Sequence, residues 1–410
     1  MTRACFANRL GVLFFLLVCA VLIGCAEDTG DGDGDGDTAD AGGAGTAGSA
    51  AGAGGSDGAD PVDEMLAELE DGRVFIYLDQ FTPSSEETID NVTKYRFEVT
   101  PDGPQCIDSS EFGVSVRDQG SENLVIFLMG GGACWEGFAM CTNSIAGQIN
   151  ALDNNGGLPT VNPTDADFPT ASWNHVMVPF CDGSLFVGDH EADLFDTTLA
   201  AWGEGTEVMH GLHNISAAMD VAKSRFPEIN RIFLTGTSAG GFGTIWAAAF
   251  VRKLWRDAEV MVFNDAGLGV AKPNDPEFRE WLVGQYGAEG RIPESCQECL
   301  DSEHLTPLVS WGLEHDSGIT ATGAFSSYGD FVIAGTFLGL TEAEFKPAIL
   351  EETGKIHDAF PDRFRRFFVE GTQHTSFGSG WNVITKDGIN VRAWLAAMID
   401  GDLDGWPDLP

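Results

Sequence analysis

Ser238 stands at the centre of L-T-G-T-S-A-G-G-F-G-T (residues 234–244), a G-x-S-x-G arrangement that suits a serine presented for nucleophilic attack. A serine hydroxyl is a weak nucleophile at neutral pH, so it needs an imidazole to take its proton and a carboxylate to orient that imidazole. Downstream histidines are His304, His315, His357 and His374. Only His374, in F-F-V-E-G-T-Q-H-T-S-F, follows directly on a strand-like run, which selects it as the base. His304 and His315 lie in polar stretches and His357 between acidic residues, as surface histidines do. For the orienting acid three aspartates compete: Asp330 in A-F-S-S-Y-G-D-F, Asp265 in V-F-N-D-A-G, and more weakly Asp316. Acyl transfer also needs donors aimed at the oxyanion. The amide of Ala239 is one, and the Gly-rich turn L-M-G-G-G-A-C-W (128–135) offers Gly131 and Gly132.

These residues require a scaffold that presents turns at the ends of strands. The run R-I-F-L-T (231–235) before the motif reads as a buried parallel strand, and residues 239–255 after it as a helix. Further strands are expected at 123–129, 175–180, 258–264 and 365–370, with helices at 205–226 and 389–399. Alternation of this kind predicts an α/β fold with a mostly parallel sheet flanked by helices. Segments 136–172 and 271–308 are rich in Gly, Pro, Asn and acidic residues, and read as loops over the active face.

The N-terminus predicts export. Arg3 and Arg9 precede the apolar stretch at 10–24, as in a secretory leader spanning 1–24, and L-I-G-C places Cys25 where a bacterial lipobox has its lipidated cysteine. Residues 25–62 are Gly, Ala, Ser and Asp with scarcely an apolar side chain to bury, which predicts a flexible tether ahead of a catalytic domain at 63–410. Asp31, Asp33 and Asp35 resemble the start of a calcium loop, but Gly42 stands where such a loop needs a glutamate. Asp400, Asp402 and Asp404 raise the same question near the C-terminus. The chain carries 22 basic and 63 acidic residues, a net charge of −41, which excludes nucleic acid as a partner.

Of nine cysteines, six lie beyond Cys25. In an exported domain an even number suggests disulfides, and proximity suggests Cys134 with Cys141 and Cys296 with Cys299. A zinc site at C-x-x-C 296–299 is the rival reading. His210 and His213 are spaced for one helix face but lack a carboxylate partner for a metal. Trp135, Trp173, Trp202 and Phe180 could floor a sugar or acyl site, or simply fill the core.

Together G-G-G-A-C-W, V-P-F-C-D-G-S (178–184), G-T-S-A-G-G-F-G, S-Y-G-D and Q-H-T resemble the pectin acetylesterase family, which includes the Notum carboxylesterases; the resemblance runs over roughly 70–408. It implies an α/β-hydrolase-type fold and a serine carboxylesterase that removes O-acyl groups, chiefly acetyl, from a polysaccharide such as pectin. No cofactor or metal is implied, and a monomer is expected. By position it implies Ser238 as nucleophile, Asp330 as acid, His374 as base, and Gly131, Gly132 and Ala239 as oxyanion donors. The chain departs from the family in having Ala133 before Cys134 with the tryptophan after it, and in lacking a cysteine near the histidine, which bears on the pocket and the disulfides. The strong acidity points to a neutral or weakly charged glycan. Alternatives are a longer-chain lipid or protein deacylase and a silent glycan-binding lipoprotein.

Overall fold

A computed structural model describes residues 60–89, 91–135, 138–140, 168–192, 207–377 and 384–410. The expected leader, Cys25 and nearly all of the expected tether lie outside these residues. Helix α1 (Pro61–Asp71) begins two residues before the expected domain boundary, because Asp60 caps it and Pro61 supplies a preset first turn.

Three strands, β1 (Ser85–Ile89), β2 (Val92–Arg96) and β3 (Gly113–Arg117), form an antiparallel edge that the sequence reading did not anticipate. After β4 (Asn123–Leu128), the short pair β5 (Ala133–Trp135) and β6 (Phe138–Met140) leads on to β7 (Asn174–Val178). A second short pair, β8 (His190–Ala192) and β9 (Glu207–Met209), precedes helix α2 (Gly211–Arg225). The helix expected from 205 therefore starts only at Gly211, since residues 207–209 are held in an antiparallel pairing. Then come β10 (Arg231–Thr237), α3 (Ala239–Leu254), β11 (Glu259–Asp265), α4 (Pro276–Gln285), α5 (Gln297–Asp301) and α6 (Pro307–His315). The segment 271–308 is thus largely helical. The chain closes with β12 (Ile319–Ser327), α7 (Glu342–Ala359), β13 (Phe364–Val369), the pair β14 (Thr385–Lys386) and β15 (Ile389–Asn390), and α8 (Val391–Asp400).

The main sheet has the order β1-β2-β3-β7-β4-β10-β11-β12-β13. From β7 to β13 every pairing is parallel. Both faces of those strands are covered, which explains their continuous apolar runs. Alternation divides β4 cleanly: Leu124, Ile126 and Leu128 join the core beneath α1, α2, α3, α6 and α7, while Val125 and Phe127 join the core beneath α8. Phe233, Phe263, Phe325 and Phe367, one from each of β10 to β13, continue that second core onto Trp394 and Trp406. The expected mostly parallel α/β architecture is the one found, and its parallel strands all end on the same edge.

Cys106 pairs with Cys181, joining the turn after β2 to the loop after β7, a pairing the sequence reading did not pick out. Cys296 pairs with Cys299 as expected, so the zinc alternative there is superseded. Cys134 is also disulfide-bonded; the Cys141 expected for it lies outside the described residues.

His175 on β7 is 1% exposed, and burial with the nearby charge of Arg117 pushes its imidazole down to about 3. Unfolding releases that histidine to its ordinary value, so the unfolded chain takes up a proton below pH 6.5 that the folded chain refuses. Its stabilising effect is complete above that pH and is lost as pH falls. Between pH 6.5 and 5 the loss is about 2 kcal/mol. His175→Leu is expected to remove that part of the pH dependence, read as the difference in urea midpoints between pH 7 and pH 5 for variant and parent. An equal pH dependence in both proteins would refute the assignment.

Candidate active site

The turn between β10 and α3 places Ser238 at φ 54° and ψ −118°, a conformation costly for any residue with a Cβ. Its neighbours explain why it is tolerated. A methyl group on Gly236 would collide with the backbone of Gly240, and one on Gly240 with the carbonyl of Leu128 at the end of β4. Glycine at both positions lets three backbone segments meet in a tight elbow. Register then fixes its surroundings: Thr237 lies beside Asp265 of β11, and the Ser238 amide donates to the Asp265 carbonyl at 2.8 Å.

Asp330 follows β12 and is fully buried. It caps the π-helical turn Phe331–Leu338, its Oδ1 accepting from the amides of Val332 and Ile333 at 2.8 and 2.9 Å. Its two carboxylate oxygens lie 3.0 and 2.9 Å from His374 Nδ1. The loop after β13 carries His374 to this point because it is zipped to the loop after β12. Tyr328 donates to the Val369 carbonyl at 3.0 Å, Gly329 to Gly371 at 2.8 Å, and Phe331 to Thr372 at 3.3 Å. Ser327 Oγ donates to the carbonyl of Gln373, the residue just before the histidine. The His374 side chain keeps 18% exposure, so its outer nitrogen can face a reactant while the inner one faces Asp330.

The other two candidate acids are engaged elsewhere. Asp316 holds Arg252 Nε at 2.6 Å in a buried pair. Asp265 accepts from the amides of Ser376 at 2.8 Å and Phe377 at 3.1 Å. Burial raises its carboxyl to about 6, against those backbone donors, which lower it.

The remaining histidines have structural partners. His304 is buried, contrary to its expected surface position, because its Nδ1 accepts the Ala271 amide at 3.0 Å. His315 and His357 bond the carbonyls of Trp311 and Phe364, both at 2.8 Å. His210 and His213 stack with ring centroids 4.1 Å apart, and His213 stacks on Tyr77. Asp400, Asp402 and Asp404 lie at and just beyond the end of α8, where Asp402 accepts the Asp404 amide at 3.2 Å.

Of the expected oxyanion donors, Ala239 is the first residue of α3, where a helix leaves its amides without intrahelical acceptors. Gly131 and Gly132 follow β4, with Gly132 at φ 92°. Gly130, which the sequence reading left out of the site, faces the elbow: a Cβ there would stand 3.0 Å from Ser238 Cβ. Aromatic side chains cluster around Trp135, three residues beyond Gly132. Trp135 meets Phe337 at 4.8 Å and Trp281 at 5.9 Å, and Phe337 meets Phe242 of α3 at 5.9 Å. Trp173 packs in the opposite core beneath Arg231, and Phe180 against Phe186. Trp202 lies outside the described residues.

Residues 94–304 match the family described as pectinacetylesterase, just over half of the chain. Among curated proteins, pectin acetylesterase 4 of Arabidopsis thaliana is 28% identical over 175 residues, 40% of this chain and 41% of that protein. Pectin acetylesterase 11 of the same plant is 26% identical over 216 residues, 48% of this chain and 52% of its own. Pectin acetylesterase 5 is 24% identical over 208 residues, 47% of each. The chain spans about half the length of the curated relatives it matches. With residues 94–304 holding the Gly-rich turn and the whole strand, elbow and helix around Ser238, the chain belongs to the pectinacetylesterase family.

Proposed function

We propose that this protein is a serine carboxylesterase that removes O-acetyl groups from a polysaccharide, pectin or another acetylated glycan. The observation that carries the reading is the pair Asp330–His374, held on the same sheet edge as a serine in elbow geometry. In the proposed cycle Ser238 Oγ bonds to the ester carbonyl carbon while His374 Nε2 takes its proton. The amides of Ala239 and of Gly131 and Gly132 receive the oxyanion. Collapse breaks the bond to the sugar oxygen, which leaves with the proton from His374, and water repeats the sequence on the acetyl-enzyme to release acetate. Asp330 keeps the imidazole in the tautomer that can accept at Nε2.

The substrate class rests on the family, and the preference for a neutral or weakly charged glycan on the net charge of −41. We further propose that residues 1–24 are a leader, that Cys25 carries a lipid holding the protein to the cell envelope, and that the tether gives the monomeric domain reach to a polymer. Hydrolysis of acetyl, butyryl and octanoyl p-nitrophenyl esters tests the chemistry. The acetyl ester is expected to show the highest kcat/KM, by about tenfold or more over octanoyl. Preference for octanoyl would favour a lipid or protein deacylase, and glycan binding without reaction with a serine-directed fluorophosphonate would favour a binding protein.

A further inference from the structure

We propose that Asp265 is a positioning residue that holds the nucleophile and the base in register, one end of it fixing the Ser238 elbow and the other the chain just past His374. The inference rests on the serine-esterase reading above and assigns a role to a carboxylate which that mechanism leaves unused.

Ser238 and His374 come from strands that are not neighbours, β10 and β13, with β11 and β12 between them. The zip between the loops after β12 and β13 ties His374 to Asp330, yet it does nothing to set the distance from that pair to the serine. Asp265, at the end of β11, supplies the link. Its carbonyl accepts the Ser238 amide at 2.8 Å. Its Oδ1 accepts the Ser376 amide at 2.8 Å, and its Oδ2 accepts Ser376 at 3.1 Å and Phe377 at 3.1 Å. One residue thereby grips both catalytic segments by their main chains. Phe377 secures the grip from the other side, packing its ring on Phe127 and Phe263 at 6.2 and 5.5 Å.

A fully buried carboxylate is costly unless its charge is used. Facing Asp265 are Thr237 from β10 and Ser238 from the turn after it, Phe325 from β12, and His374, Ser376 and Phe377 from the loop. Among these, His374 is the one whose charge acts on Asp265, where it favours the carboxylate. Burial brings the Asp265 carboxyl up to about 6, so the grip weakens as pH falls through that value. Loss of activity on the acid side then contains a proton uptake at Asp265.

The test compares the full chain with its Asp265→Asn variant on p-nitrophenyl acetate across pH 4.5–8, with fold followed by circular dichroism. The carboxamide that Asp265→Asn introduces turns an N–H₂ toward one of the loop amides, so kcat is expected to fall about 100-fold while KM changes by less than about twofold. The acid limb of log kcat should become shallower by the one proton that Asp265 contributes. An Asp265→Asn protein with kcat within about threefold of the parent and an unaltered acid limb overturns the proposal. Should the variant not fold, hydrogen exchange of the Ser376 and Phe377 amides in the parent decides. Protection that falls as pH drops through about 6 supports the grip, and protection that stays constant from pH 8 to 5 overturns it. That exchange readout is independent of catalysis, whereas a parent inert to both the acetyl ester and a fluorophosphonate would sink the esterase reading instead.

Discussion

Ser238→Ala is expected to lower kcat on p-nitrophenyl acetate by roughly 10⁴-fold or more and to abolish labelling by a fluorophosphonate. In the proposed cycle the new covalent bond forms at Oγ, and the elbow leaves no room for a substitute: Gly236 and Gly240 are pressed against neighbouring backbone, and Gly130 faces the serine itself. The variant keeps the Cβ and the unusual backbone angles, so its stability should stay within about 0.5 kcal/mol of the parent. Activity surviving within about tenfold, after correction for spontaneous hydrolysis, would mean that another group attacks the ester.

For Asp330→Asn the expected loss in kcat is again roughly 10⁴-fold, and the reason lies in where each oxygen points. Oδ1 is committed to the amides of Val332 and Ile333, so an asparagine would put its carbonyl oxygen there. Its N–H₂ would then occupy the place of Oδ2, 2.9 Å from His374 Nδ1, and donate to it. That arrangement forces the proton onto Nε2, which can no longer accept one from the serine. Because the cap is preserved, the fold should survive. Asp330→Ala would lose the cap as well, at a further cost of about 1 kcal/mol in stability. A loss smaller than tenfold in Asp330→Asn would exclude Asp330 as the orienting acid, and the ordering of Asp330→Asn well below Asp265→Asn separates the group that touches the imidazole from the one that holds its loop.

What could be seen in the chain beforehand follows from the range of the interactions. The Ser238 elbow is local: a buried strand, a glycine-flanked turn and a helix lie within about 25 consecutive residues, so composition and order suffice to place it. His374, the proposed base, stood out because it lies in the loop just after β13. Residue chemistry alone could not choose between Asp330 and Asp265, since one ends a parallel strand and the other closely follows one; the proposal of Asp330 rests on the zip of main-chain bonds from Ser327–Phe331 to Val369–Gln373. The role of Asp265 left no signal at all, because its partners are amides 111 and 112 residues away and any residue type but proline carries one. The outermost strand of the antiparallel edge escaped notice for a different reason. Strand β1 is exposed along its whole length, and an exposed edge strand has no apolar alternation to betray it. Likewise Cys106 and Cys181, 75 residues apart, are joined by the fold and by nothing in their spacing.

The angles at Ser238, φ 54° and ψ −118°, belong to a region that glycine occupies without strain. Glycine in its place would relax the backbone by about 1–3 kcal/mol. The proposed nucleophile therefore sits at a position where robustness and usefulness pull in opposite directions. On the proposed reading, selection for thermal endurance alone would erode the nucleophile, so any evolved library of this protein has to be screened for turnover at every round, or its hardiest survivors will be inert.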